Sequence, residues 1–265
     1  MTLPTAGLLQ PRALLPTRGL GAWPSAGTSH GGGWFYTTYP LLEQKSRTVR
    51  EREIDDEDDL ITELKGSAEA IGARDNSQNG EFSIFLGYAR PNRGGIVVDV
   101  GAKQKQGSNS YDLMAQYGWR GLLIEANPDN ISVIEREFSG LNYELHQAVV
   151  SNVEEPATFY LGFMSSLLPE MAAHYGTTNA VQVTTQRLGP ILAAHSIPKD
   201  FDLLSLDIEG VDVHVMIDLL ASGYRPRWVW IEARSIPAEI ERHYQVIART
   251  HPNLLLKLRC DSGAT

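Results

Sequence analysis

The chain has 265 residues, 42% of them apolar, and a formal net charge of -9. That is enough apolar material for one large α/β domain plus a tail, and an acidic balance with no lysine- or arginine-rich face argues against phosphate-tracking nucleic-acid binding. Cys260 is the single cysteine, which excludes an intrachain disulfide and a cysteine-built zinc site, and no apolar run approaches the roughly 20 residues of a bilayer span. A reducing, cytoplasmic setting with no membrane partner is the expectation.

Residues 1–42 hold no acidic residue, two arginines and many Pro, Gly, Ser and Thr. With no helical or alternating period, they read as a flexible extension, taken to run over residues 1–45. An acid-poor leader also fits a transit peptide, which so many prolines disfavour. The charge run at 47–59 ends in Asp55-Asp56-Glu57-Asp58-Asp59. Leu60, Ile61, Leu64, Ala68 and Ile71 follow at helical spacing, so the acidic residues read as a helix N-terminus favoured by its dipole. Residues 46–94 are expected to form an N-terminal helical and linking segment, and residues 95–265 the main domain.

Ile96–Val100 is a short apolar run and reads as a buried strand. Tyr111–Tyr117 reads as a helix ended by Gly118, and Leu122–Ile124 as a second strand. This is a βαβ unit. Pro128 opens a helix with Ile131, Ile134 and Phe138 as its buried stripe. Leu145–Val150 is expected to be the third strand and Thr158–Leu161 an extra one. Residues 162–178 read as a long loop of the kind that forms lids. Val181–Thr185 alternates as a strand should, and Leu188–His195 reads as a helix. Phe201–Asp207 is the fourth central strand, followed by a helix with Val211, Val215 and Leu219 as its stripe. Trp228–Glu232 is the fifth strand, Pro237–Thr250 is expected to be helical, and Leu254–Leu258 is the sixth strand. Alternating strands and helices predict an α/β fold with a doubly wound, mostly parallel sheet.

In such sheets ligands bind beyond the carboxyl ends of the strands, where the sequence puts Asp99, Gly101 and Glu125. A dinucleotide site needs G-x-G-x-x-G so that backbone amides reach a pyrophosphate. Here Gly101 is followed by Ala102-Lys103-Gln104-Lys105-Gln106. The second and third glycines are missing from their places, which disfavours a nicotinamide-dependent oxidoreductase. Glu125 suits ribose hydroxyls, and Asp99 suits a cationic amino-acid end better than a phosphate. A ligand with a ribose, no phosphate and a positive centre is S-adenosylmethionine. Strand-end polar residues that only cap helices are the plainer alternative.

A second cluster is Asp207, Glu209 and Glu232, at the ends of the fourth and fifth strands. Neighbouring strands lie about 4.8 Å apart, so the three can converge. They could supply a general base, hold a hard cation such as Mg²⁺, or act as helix caps. Among the histidines, none has metal-ligand spacing. Trp119, Trp228 and Trp230 read as packing aromatics.

Several motifs occur together in order. They are Ser-Gln-x-Gly-Glu (77–81), Val-Asp-Val-Gly-Ala (98–102), Ser-Asn-Ser (108–110), Gly-Trp-Arg-Gly-Leu-Leu-Ile-Glu-Ala-Asn-Pro (118–128) and Leu-Ser-Leu-Asp-Ile-Glu-Gly (204–210). The ordered set resembles the FkbM-type S-adenosylmethionine-dependent methyltransferases over roughly residues 77–260. The resemblance implies a Rossmann-like class I methyltransferase fold with an antiparallel hairpin edge, and methylation of hydroxyl groups on small natural products or sugars. It implies that Asp99 and Gly101 line the methionine end of the cofactor, with Ser108 and Asn109 beside them. It also implies Glu125 and Asn127 at the ribose, Gln147 and Ala148 at the adenine, Asp207 beside the methyl group, and Gln78 and Glu81 closing the pocket. Two departures stand out. The 103–106 loop is more basic and less glycine-rich than the family pattern. The chain also ends where the last edge strand is expected, so that strand comes from elsewhere or the edge is exposed.

The leading expectation is an O-methyltransferase acting on a small hydroxyl-bearing substrate, with Asp207 as base or metal ligand supported by Glu209 and Glu232. The alternative from another class is a catalytically inactive scaffold that keeps the fold.

Overall fold

A computed structural model describes residues 74–260 of the chain. The extension expected over 1–45 and the helix expected after the charge run both lie outside the described residues.

Seven strands form one sheet in the order β10-β11-β9-β8-β1-β2-β3. The five parallel strands are β1 (Ile96–Val100), β2 (Arg120–Glu125), β3 (Tyr143–Gln147), β8 (Leu203–Leu206) and β9 (Trp228–Glu232). β11 (Asn253–Leu258) runs antiparallel to β9, and β10 (Tyr244–Thr250) antiparallel to β11. β4 (Val150–Ser151) pairs with β7 (Gln186–Arg187) in a short ribbon, and β5 (Pro156–Leu161) pairs with β6 (Asn179–Thr184) in a hairpin. The helices are α1 (Glu81–Ala89), α2 (Tyr111–Tyr117), α3 (Pro128–Glu137), α4 (Pro169–His174), α5 (Leu188–Ala194), α6 (Asp212–Ala221) and α7 (Ala238–Glu241).

The central strands β1, β2, β8 and β9 are mostly apolar because both of their faces are covered. Val97, Leu123, Leu203 and Trp230 point to one layer, where they meet Phe82, Phe85, Leu113, Met114, Ile134 and Phe138 from α1, α2 and the α3 segment. Val98, Val100, Leu122, Ile124, Leu204 and Leu206 point to the other, with Leu188, Ile191, Val215 and Leu219 of α5 and α6. The Trp119 indole lies against Phe85 and donates to the Asn92 carbonyl at 2.8 Å.

Three elements differ from the sequence reading. The third strand is Tyr143–Gln147 rather than Leu145–Val150, because it pairs in register with Gly121–Glu125 of β2. The expected 162–178 loop contains a helical turn, α4. The helix expected over Pro237–Thr250 stops at Glu241, and Tyr244–Thr250 is the edge strand. Pairing with Leu254–Leu258 overrides the local helical reading there. The strand that the sequence reading found missing is therefore supplied by this segment, and the edge hairpin is complete.

Candidate functional site

The parallel register lines up the strand ends. Glu125 is opposite Gln147, Ile124 opposite Val100, Val100 opposite Leu206, and Leu206 opposite Ile231. One step further along, Gln147, Glu125, Gly101, Asp207 and Glu232 form a row across the carboxyl edge. This is where an open parallel sheet presents ligand groups. A cavity of about 370 Å³ opens above the row, lined by Gln78, Asp99, Gly101, Ser108, Asn109, Glu125, Ala148, Asp207 and Glu209 among others. That volume is in the range of small-molecule sites.

Gly101 holds β1 and β8 close together. Its φ is +92°, and a Cβ there would lie 1.9 Å from the Asp207 carbonyl oxygen. No other residue type fits that approach. Asp99 is buried on the α2 side and accepts from Ser110 Oγ at 2.5 Å. Ser108 Oγ lies 3.1 Å from Ser110 Oγ and accepts from the Tyr111 N–H, so the Ser-Asn-Ser loop is anchored at the start of α2. Asn109 donates to Ser205 Oγ at 3.2 Å while its Oδ1 is buried without a partner among the described residues.

Glu125 is buried, and its Oε1 accepts the Asn127 N–H at 2.5 Å. Asn127 in turn caps α3 by accepting from the Asp129 N–H at 3.0 Å. It orients Glu125 from outside the cavity. Gln147 also stands outside the wall, with Nε2 buried and unpartnered among the described residues. Glu81, expected to close the pocket, acts electrostatically on Asp207. It is fully buried, and its Oε1 accepts from Thr250 Oγ1 and Asn253 Nδ2, which ties α1 to the edge hairpin.

The loop that raised a question in the sequence folds its side chains onto neighbours. Lys103 Nζ donates to the Phe163 carbonyl at 2.7 Å and lies 3.2 Å from that ring's centroid. The Lys105 N–H donates to Glu137. Lys103 thereby joins the first strand's loop to the 162–178 segment, and it faces Glu125, Glu209 and Asp207. Burial lowers its pKa, and those carboxylates oppose the change.

The expected carboxylate convergence is present. Oxygens of Asp207, Glu209 and Glu232 all lie within 4.8 Å of one another. Two unit charges that far apart repel by about 3 to 4 kcal/mol at an effective dielectric constant of ~20. Burial raises all three; repulsion from Asp207 adds at Glu209 and Glu232, taking them to about 7 and about 8, while at Asp207 the added repulsion comes from Glu81 and a hydrogen bond with Glu232 opposes the rise. Burial raises Asp99 to about 6 and Glu125 to about 7. Desolvated titratable groups gathered round one cavity mark a functional site.

Glu209 has φ +59°, a left-handed conformation that side chains disfavour. Two residues missed at the sequence level hold it there. Asp212 accepts from the N–H groups of Ile208 and Gly210 at 2.9 and 3.0 Å, and Ser166 Oγ donates to the Glu209 carbonyl at 2.7 Å. The available signal for Asp212 was its place in the first turn of the following helix. Ser166 gave none, because it reaches Glu209 only through the fold.

The sequence profile described as the methyltransferase FkbM domain matches residues 99–259, more than half of the chain. The chain belongs to the FkbM methyltransferase family. No curated protein matches the chain. The family match begins at Asp99 and spans the whole row of strand ends, the carboxylate cluster included. This FkbM domain is a mixed α/β unit on a seven-stranded, mostly parallel sheet. Among the described residues no helix is long and apolar enough to cross a membrane.

Proposed function

We propose that the chain is an S-adenosylmethionine-dependent O-methyltransferase acting on a hydroxyl of a small natural product or sugar. The observation that carries this reading is the row Glu125–Gly101–Asp207 beneath a cavity of about 370 Å³, inside the family match. The sheet order, with helices on both faces and an antiparallel edge hairpin, supports the doubly wound Rossmann-like class I reading.

The residues present fit the cofactor. Glu125 offers a buried carboxylate for ribose hydroxyls. Asp99 offers negative charge to the amino-acid end, and Gly101 keeps the ends of β1 and β8 close together beside the cavity. Asn109 Oδ1, unpartnered among the described residues, is a spare acceptor in the cavity wall beside Gly101. Gln78 and Ser108 belong to the wall on the N-terminal side, and Ala148 to the wall beyond Glu125. When bound, the cofactor supplies an electrophilic sulfonium methyl group.

The chain's own contribution is orientation and proton management. The Asp207, Glu209 and Glu232 edge is where the acceptor hydroxyl loses its proton. The raised pKa values of Glu209 and Glu232 bring proton uptake into the neutral range. The 162–168 segment, with Phe163, Met164 and Ser165 in the cavity wall, faces the acceptor.

Calorimetry with S-adenosylmethionine tests the reading directly, with saturable binding near one site per chain expected. Asp207→Asn is expected to keep the fold and bind the cofactor while losing most methyl transfer. Absence of cofactor binding favours a scaffold, and wild-type turnover in that variant removes Asp207 from the chemistry.

A further inference from the structure

Asp207, Glu209 and Glu232 present three carboxylate oxygens within 4.8 Å of one another. Two come from the loop that leaves β8 and one from the end of β9. Their use as caps is largely taken over by another residue: the N–H groups of Ile208 and Gly210 both go to Asp212. Lys103 faces the cluster, but its ammonium is occupied by the Phe163 carbonyl and ring.

Glu209 is the decisive residue. It is only 8% exposed, its carboxylate reaches into the cluster, and its Oε2 is buried with no hydrogen-bond partner among the described residues. Glu232 Oε2 is also buried without a donor among the described residues, while the Glu232 and Asp207 carboxyls lie close enough to share a proton. A buried carboxylate oxygen without a donor is costly unless something positive meets it. Hard divalent cations bind carboxylate oxygens at about 2.0–2.6 Å, so two of their ligands are never more than about 4–5 Å apart. The observed spacing meets that limit. The donor set is all oxygen, which suits hard ions over soft ones.

We propose that Asp207, Glu209 and Glu232 bind one hard divalent cation, of the Mg²⁺, Mn²⁺ or Ca²⁺ type, at the edge of the cavity. The inference deepens the methyl-transfer reading, on which it rests for the ion's use and not for its binding.

The test uses the full chain, stripped with EDTA and dialysed, titrated with MnCl₂ while free Mn²⁺ is followed by electron paramagnetic resonance. About one Mn²⁺ per chain is expected, displaced by Mg²⁺ or Ca²⁺ in excess. Glu209→Gln, and the double variant Glu209→Gln with Glu232→Gln, are each expected to weaken binding by roughly tenfold or more. Circular dichroism of the single variant checks that it is folded, and Mn²⁺ is expected to raise the melting temperature of the wild type and not of the variants. No uptake of Mn²⁺ by the wild type, or uptake unchanged in the folded variants, overturns the proposal. S-adenosylmethionine binding is measured separately in EDTA. Cofactor binding without Mn²⁺ uptake overturns the cation alone, and Mn²⁺ uptake without cofactor binding overturns the methyl-transfer reading alone.

Discussion

Replacing Glu125 with Gln separates a cost in stability from a benefit in binding. Glu125 is 5% exposed, and burial raises its carboxyl from the ordinary 4.5 to about 7. Between those values the folded chain keeps a proton that the unfolded chain has released. Stability therefore falls as pH rises through that window and stays low above it. The glutamine variant keeps the side-chain size and an oxygen for the Asn127 N–H, but it has nothing to ionise. Relative to the wild type, the variant should gain about 2.5 kcal/mol of stability between pH 5 and pH 8. Other titrating groups contribute nearly equally to both proteins and drop out of the difference. Urea unfolding at several pH values, in EDTA and without cofactor, measures this directly, with the dependence on urea unchanged. In the same variant S-adenosylmethionine should bind roughly tenfold more weakly or worse, because a charged acceptor for ribose hydroxyls is gone. Parallel stability curves for the two proteins would refute the claim that Glu125 is held desolvated for a ligand.

Gly101→Ala should destabilise the fold by about 3 kcal/mol or more, since a left-handed φ and a carbonyl contact both oppose a Cβ; thermal unfolding reports it, and a neutral result would mean that β1 and β8 are not held so close. Ser166→Ala should cost about 1–3 kcal/mol, because the Glu209 carbonyl and the Leu168 N–H both lose a buried partner. It should also lower Mn²⁺ affinity by relaxing Glu209, whereas a purely structural role for Ser166 would leave the affinity unchanged.

The βαβ unit was legible because its signal is local. Ile96–Val100 and Leu122–Ile124 are apolar runs too short for helices, separated by one helix that Gly118 ends. The placement of Asp99, Glu125 and Asp207 at or next to strand ends was legible for the same reason, since a strand's end is visible in its own sequence. Tyr244–Thr250 was not. Its segment follows a proline suited to a helix start, and only the open edge of Leu254–Leu258 makes it a strand. The anchoring of Glu81 was not legible, because its partners Thr250 and Asn253 are far along the chain.

By itself, then, the sequence determined the alternating α/β pattern, the residues at the strand ends and the absence of a dinucleotide loop. These follow from periodicity and from glycine spacing, which are properties of neighbouring residues. The tertiary structure alone decided that Gly101 must be glycine, because the atom it would strike belongs to Asp207. It alone tied Lys103 to Phe163, and left Glu209 buried with an unanswered oxygen. Each of these depends on distances between residues far apart in the chain, and strand register, set by pairing across the sheet, is what brings them together.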